Sequence, residues 1–523
     1  MKKYIFNIRY NPLTVIVIAI LLTSCSKDFL DVVKDDTVNA DTFYRTEADV
    51  QLAVAGVYEL LTSANDYQRY QVIGRNLWSD DIWRGGFVGP NFDFEPVAIG
   101  SHSPTTKPIV DMWNYCYTMI RRANDFLLST ENATIEIDEN LLTRYRNEVR
   151  FLRAYAFQEL VFLYGDVPFF TETPTSVEIK TIGRSPKSIV LDFIISELDV
   201  LSDELPSQYS GSDIGRITKG AAESLLSRVL LSEGDYTGAA AASQEVISSG
   251  NYGLENLGEI FLLANEGNQE VIWDAHVLET NGSTGWLANY TLPSALGGFG
   301  GGTTPSQSLV DAFEMQATGL PISDAASGFD ENDPFAGRDP RLAQAIIHPG
   351  AIIEGEVFDV SGSTTGYYSK KFYDPAIPRG YGLSQNWILI RYAEVLLNFA
   401  EATNEVSGPI ATVYEAVNSI RARAGMPDLP AGLSQSEMRE RIRNERRVEL
   451  ALEGDRFYSI RRWEIAEDVV PQDLQGIDPV SLENTTVSSG RVFDPSKDYL
   501  WPIPQIQIDL TEPGVTTQNP GWD

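Results

Sequence analysis

The run from Ser434 to Trp463, SQSEMRERIRNERRVELALEGDRFYSIRRW, constrains the fold more than any other stretch. Ser434 followed three residues later by Glu437 has the form of a capping box, so a helix starts here. No proline interrupts the run, and Gly454 is its only weak helix former. Ile442, Glu445, Val448, Glu449, Leu452, Arg456, Phe457 and Ile460 recur at helical spacing on one side. That inner side mixes hydrophobes with Glu445, Glu449 and Arg456. Such a cluster is either an acid/base site or a structural ion-pair network, and the network is the expectation.

The amino terminus carries a processing signal. Lys2, Lys3 and Arg9 form a basic region and Leu13 to Leu22 an apolar one, and Leu22-Thr23-Ser24-Cys25 then has the lipobox pattern. The thiol of Cys25 is the chemical reason for the motif, because it receives the lipid before cleavage. The apolar core is short for a membrane span. Residues 1–24 are therefore a lipoprotein signal peptide, 25–39 a polar tether, and 40–523 a single folded unit that is anchored rather than spanning.

Charge narrows the partners. The chain is strongly acidic, with a formal net charge of −33, which excludes nucleic acid bound through phosphate neutralisation and favours neutral ligands. Beyond Cys25 only Cys116 remains, so no internal disulfide is available.

Helical periodicity dominates both ends. Ala40 to Leu61, Asp111 to Leu128, Leu141 to Tyr164 and Ser185 to Glu204 read as helices. Thr218 to Glu233 and Tyr236 to Ser249 make a hairpin around Gly234-Asp235. Ser227, Leu230, Leu231, Gly234, Tyr236 and Ala239 sit there at spacings like those of a tetratricopeptide repeat, whose small residues let two helices approach closely. Ile388 to Glu405 with Ala411 to Ala424 is a looser second copy. Helical repeats thus cover about 40–250 and 386–465. Between them, about 252–385 is irregular, with short strands, a helix over Ser306 to Met315, and a glycine run, Gly297 to Gly302, that reads as a flexible surface loop. Prolines 502, 504, 513 and 520 forbid a regular helix in the tail.

Several pieces occur together in one order: the lipobox, RNEVRFLRAYAFQELVFLYGDVPFF, ITKGAAESLLSRVLLSEGDY, LIRYAEVLLNFAEATNE, IRNERRVELALEGDRFYSIRRW and the tail YLWPIPQIQIDL…TQNPGW. This set resembles the SusD/RagB family of outer-membrane lipoproteins from Bacteroidetes, over nearly the whole mature chain. The resemblance implies a mainly α fold, with four tetratricopeptide-like helix pairs as scaffold and an irregular loop- and short-strand-rich region for ligand. It implies a place on the extracellular face of the outer membrane, capping a SusC-like TonB-dependent transporter. It also implies non-catalytic capture of oligosaccharide. Some members of the family take peptides instead, and that alternative stays open.

A glycan binder needs flat apolar faces for sugar rings and polar groups for hydroxyls. Two stretches combine them: Ser79 to Phe87, with Asp81, Trp83 and Phe87, and Asn281 to Tyr290, with Trp286, Asn289 and Tyr290. Trp83, beside glycine and after two acids, is expected on an exposed loop. The resemblance places aromatic sugar platforms in these two regions. Against hydrolysis, the three histidines are far apart with no HExxH, and no GxSxG occurs. A spatial carboxylate pair for glycoside hydrolysis is the third and least favoured reading. No cofactor is expected. Asp330 to Asp339 offers oxygen ligands for Ca²⁺ but lacks the EF-hand pattern, so a solvated loop is the expectation.

Overall fold

A computed structural model describes residues 43–62, 70–85, 94–277, 291–298, 301–377 and 385–522. Helices α1 (Glu47–Thr62), α2 (Lys107–Asn132), α3 (Glu139–Tyr164), α4 (Lys187–Glu204), α5 (Lys219–Ser232) and α6 (Tyr236–Ser248) build the first half. Helices α7 (Tyr392–Ser407), α8 (Ala411–Arg423), α9 (Gln435–Glu449) and α10 (Asp455–Arg462) follow the irregular region. From α2 to α8 each helix packs on the next, and α1 packs on α2 and α3. The α6–α7 contact closes this succession across the irregular region. Four helix pairs thus stand in a row: α1/α2, α3/α4, α5/α6 and α7/α8.

Helix α3 is the axis of the core. Asp138 caps it by accepting from the amides of Asn140 and Leu141, and Gly165, at φ 72°, ends it. Phe151, Leu152, Ala154, Tyr155, Phe157 and Leu160 are all buried, so the helix is enclosed on nearly every side. In the α5/α6 hairpin the expected small residues meet. The hydroxyls of Ser227 and Ser243 lie 2.6 Å apart and fully buried, beside Ala239. A larger side chain at either serine would push the helices apart.

Sheet structure is sparse. Strand β1 (Ile82–Arg84) pairs antiparallel with β3 (Thr303–Pro305), and β2 (Val271–Ala275) with β4 (Trp387–Arg391). A hairpin of β5 (Leu474–Ile477) and β6 (Asn484–Ser488) follows the helices. The second repeat copy is therefore shorter than expected. Ile388 to Arg391 belongs to β4, and α7 begins only at Tyr392. An apolar run this short fits either structure, and pairing with β2 decides for the strand.

The run from Ser434 to Trp463 is also corrected, from one helix to two. The capping box of Ser434 and Glu437 is present, but α9 stops at Glu449. Buried Leu452 then takes φ 67° and Gly454 φ 86°. A left-handed leucine is strained, at a cost of roughly 1–3 kcal/mol, and needs a surrounding structure to hold it. Asn76 is that support. Its amide donates to the Leu452 carbonyl at 3.0 Å and accepts from the Gly454 amide at 3.1 Å. A Cβ at Gly454 would stand 3.0 Å from the Gln71 carbonyl oxygen, so the close approach itself calls for glycine.

Three smaller expectations change. The described part of the glycine run is a hydrogen-bonded turn. Gly298 donates to Pro293, Gly301 donates to Leu292, and a Cβ at Gly298 would lie 1.9 Å from the Leu292 carbonyl oxygen. The tail does hold one short helix, Gln505–Leu510, which starts directly after Pro504. The expected helix over Ser306 to Met315 is confined to Gln307–Ala312, with Ser306 capping it.

Candidate functional site

The described residues next to the two aromatic-bearing stretches meet around one strand, β3. Gly85, at the end of the first, donates to the Gly302 carbonyl at 3.2 Å. Thr291, directly after the second, accepts from the Thr303 hydroxyl at 3.5 Å, and Leu292 accepts from the Gly301 amide at 2.9 Å. Thr303 is itself held by Ser369, at 2.9 Å between hydroxyls. The described residues that border the two stretches, Gly85 on one side and Thr291 and Leu292 on the other, therefore both bond to the segment from Gly301 to Thr303. Phe87, Trp286, Asn289 and Tyr290 lie outside the described residues, as does Cys25.

The expected exposure of Trp83 is corrected. Its side chain sits on β1 and the residue is only 6% exposed, while its carbonyl accepts from Thr304 at 3.0 Å. A ring buried this far offers no free face for stacking. The reason lies in the two acids before it. Asp80 and Asp81 are buried too, because arginines from α9 and α10 meet them. Arg456 reaches Asp80 through two bonds, at 2.7 and 2.9 Å, and Arg447 reaches Asp81 at 2.8 Å and Asp80 at 3.0 Å. Burial alone would raise the Asp80 carboxyl, but Arg447 and Arg456 outweigh it and hold the group well below the usual carboxylate range. Asp81 is thus committed to Arg447. Sequence reasoning missed both arginine partners, and a local pattern has no way to show a contact 366 positions apart.

The charged face of α9 resolves into a separate network. Glu445 accepts from Arg341 at 2.5 Å and Arg421 at 2.9 Å. Glu449 accepts from Arg391 at 2.6 Å and Arg341 at 3.0 Å, and is also bonded by Arg423. Arg391 further engages Glu270 at 2.6 Å and Glu453 at 2.8 Å. Burial would raise Glu449, yet Arg423, Arg391, Arg341 and Lys371 together keep it well below its ordinary value. Glu445 and Glu449 are each 2% exposed. This pair is sealed and saturated, and no substrate can reach it. Arg456 does not join it, since it points to Asp80 instead.

Asp330 to Asp339 is likewise spoken for at both ends. Asp330 accepts from the Asn332 amide at 2.9 Å, and Asp339 is paired with Arg341 at 2.7 Å. Among the described residues no three histidine, cysteine, aspartate or glutamate side chains gather as a metal site. No helix among them is long and apolar enough to cross a membrane.

The SusD family model matches residues 269–522, and a second family, described as starch-binding and associating with the outer membrane, matches residues 28–231. SusD-like protein P25 of Formosa agariphila is 30% identical, over 88% of this chain and 91% of its own. A solved SusD-like protein from Bacteroides fragilis superposes with TM-score 0.81 at 31% identity, over 92% of this chain and 98% of that one. A second B. fragilis structure, described as a SusD-like carbohydrate-binding protein, gives TM-score 0.81 at 26% identity, over 90% and 99%. Order of elements, helix-pair scaffold and full-length similarity agree, and the chain belongs to the SusD family.

Proposed function

We propose that this protein is a non-catalytic, cell-surface glycan-binding lipoprotein, anchored through Cys25, that passes oligosaccharide to a SusC-like TonB-dependent transporter in the outer membrane. The observation that carries this reading is that the described residues bordering the two aromatic-bearing stretches, Gly85 and Thr291 with Leu292, both bond to the segment from Gly301 to Thr303. With Trp83 buried, ring stacking falls to Trp286, Tyr290 and Phe87, and hydroxyl recognition to Asn289. Three supports converge: the starch-binding, outer-membrane description of one matched family, the carbohydrate-binding description of a structural neighbour, and the lipobox. The signal peptide over 1–24 and the tether over 25–39 would leave the folded part free to meet both transporter and ligand.

The test is a panel of neutral polysaccharides run by affinity electrophoresis against the protein without its signal and lipid. Retardation by at least one glycan, with no released product on prolonged incubation, is the expected result. Retardation by none, or the appearance of shortened products, contradicts the proposal. Co-purification of the full chain with a β-barrel transporter from outer membranes tests the partner.

A further inference from the structure

The β1/β3 ladder has a second end. At one end the Gly85 amide donates to the Gly302 carbonyl, and the Asp80/Ser306 end opens on a cavity of about 290 Å³. A run from Asp81 to Gly85 spans roughly 13 Å of extended chain, so the two ends lie within reach of one oligosaccharide. Among the described residues no aromatic side chain lines the cavity. Its wall sets the apolar Val469 and Leu474 beside amides, hydroxyls and charged groups, among them Gln472, Asn484, Asp311, Arg447 and Arg491.

Two of these groups are built in but unspent. Arg491 is 3% exposed and donates Nε to the Ala98 carbonyl at 3.0 Å and one Nη to the Ser79 carbonyl at 2.7 Å. Asp311 accepts only from Gln307, at 2.8 Å on one oxygen. Among the described residues nothing engages the other Nη of Arg491 or the other oxygen of Asp311. A buried guanidinium and a half-buried carboxylate are costly unless bonded. Here a donor and an acceptor both line the recess. Charge is nearly balanced around it. Arg447, Arg456 and Arg491 line it with Asp80, Asp311 and Asp473, so a strongly anionic ligand gains little.

We infer that this cavity is a polar subsite for one neutral sugar unit, read by hydrogen bonds from Asp311, Arg491 and Asn484 instead of by ring stacking. The inference rests on the glycan-binding reading and extends it with a polar point of contact beyond Asp80. Paired donors and acceptors suit vicinal hydroxyls, which present both.

Saturation-transfer NMR with neutral monosaccharides and oligosaccharides tests it on the wild-type protein, on Asp311→Ala, on Asn484→Ala and on Trp286→Ala. Asn484 is exposed on β6 and its removal leaves the core intact, so N484A remains informative if D311A folds poorly. The expected result is a signal that persists in W286A and weakens about tenfold in D311A and N484A, as loss of one hydrogen bond to a polar ligand gives. Binding abolished by W286A and unchanged in both cavity variants overturns the polar subsite while leaving glycan binding standing. Wild-type preference for uronates or sulfated sugars, lost in D311A, overturns the neutral assignment. No binding of any sugar by the wild type sinks the glycan reading itself, and the subsite with it.

Discussion

Arg391 and Arg491 are almost equally hidden, at 2% and 3% exposure, yet their surroundings differ. Arg391 gives all three of its donor nitrogens to protein: Nε and one Nη to Glu453, that Nη also to the Glu449 carbonyl, and the other Nη to Glu270 and Glu449. Arg491 spends Nε and one Nη on carbonyls, and its last nitrogen faces a cavity. The first residue ties α9 and the strand pair β2/β4 together. The second leaves recognition capacity on a wall. Burial therefore does not distinguish these two arginines. Their hydrogen bonding does.

Breaking the saturated side of that comparison should have the largest effect. Arg391→Ala leaves Glu270, Glu449 and Glu453 buried with fewer cations, and should cost roughly 3–5 kcal/mol in urea or guanidinium denaturation. The fraction that remains folded should bind glycan with wild-type affinity. A variant of full stability would show that the network is not what holds the junction.

Acid titration sharpens the same side. Glu401 is buried, and although burial raises its carboxyl, Arg462 outweighs this and brings it to about 2 from an ordinary 4.5. Its folded value is depressed, so its contribution is complete above the unfolded value and is lost as pH falls from about 4.5 toward 2. The amount is about 3 kcal/mol. Glu401→Gln should flatten stability over that window, measured by denaturation at a series of pH values. An unchanged slope would remove Glu401 from the acid response.

The smallest effect expected is at the start of α9, away from both regions. Ser434→Ala removes the exposed capping box and should cost about 1 kcal/mol. A loss as large as that of Arg391→Ala would mean that α9 depends on its cap and not on its ion pairs.

What the sequence made legible follows from the range of the interaction involved. Ser434 with Glu437, and the small residues around Ser227, act through neighbours on the same or the next helix, and both were readable. The break at Leu452 was not, because a leucine at φ 67° exists only with Asn76 clamped over it from far away in the chain. Trp83 failed for the same reason. Its flanking acids look solvent-seeking until Arg447 and Arg456 arrive to bury them. Ile388 to Arg391 is a case of true local ambiguity, settled by β2. For the candidate site, the two stretches were visible by composition, whereas the meeting of Gly85, Thr291 and Leu292 around Gly301 to Thr303 and the recess beyond Asp80 arise only from pairing across the chain.

The most direct test of the account is calorimetry of the wild-type protein and of Trp286→Ala with whichever neutral glycan retards the wild type. Loss of a stacking platform should weaken binding by roughly tenfold or more while the denaturation midpoint stays put. Equal affinity in the two proteins would contradict the claim that the stretch anchored at Thr291 forms the glycan-binding surface.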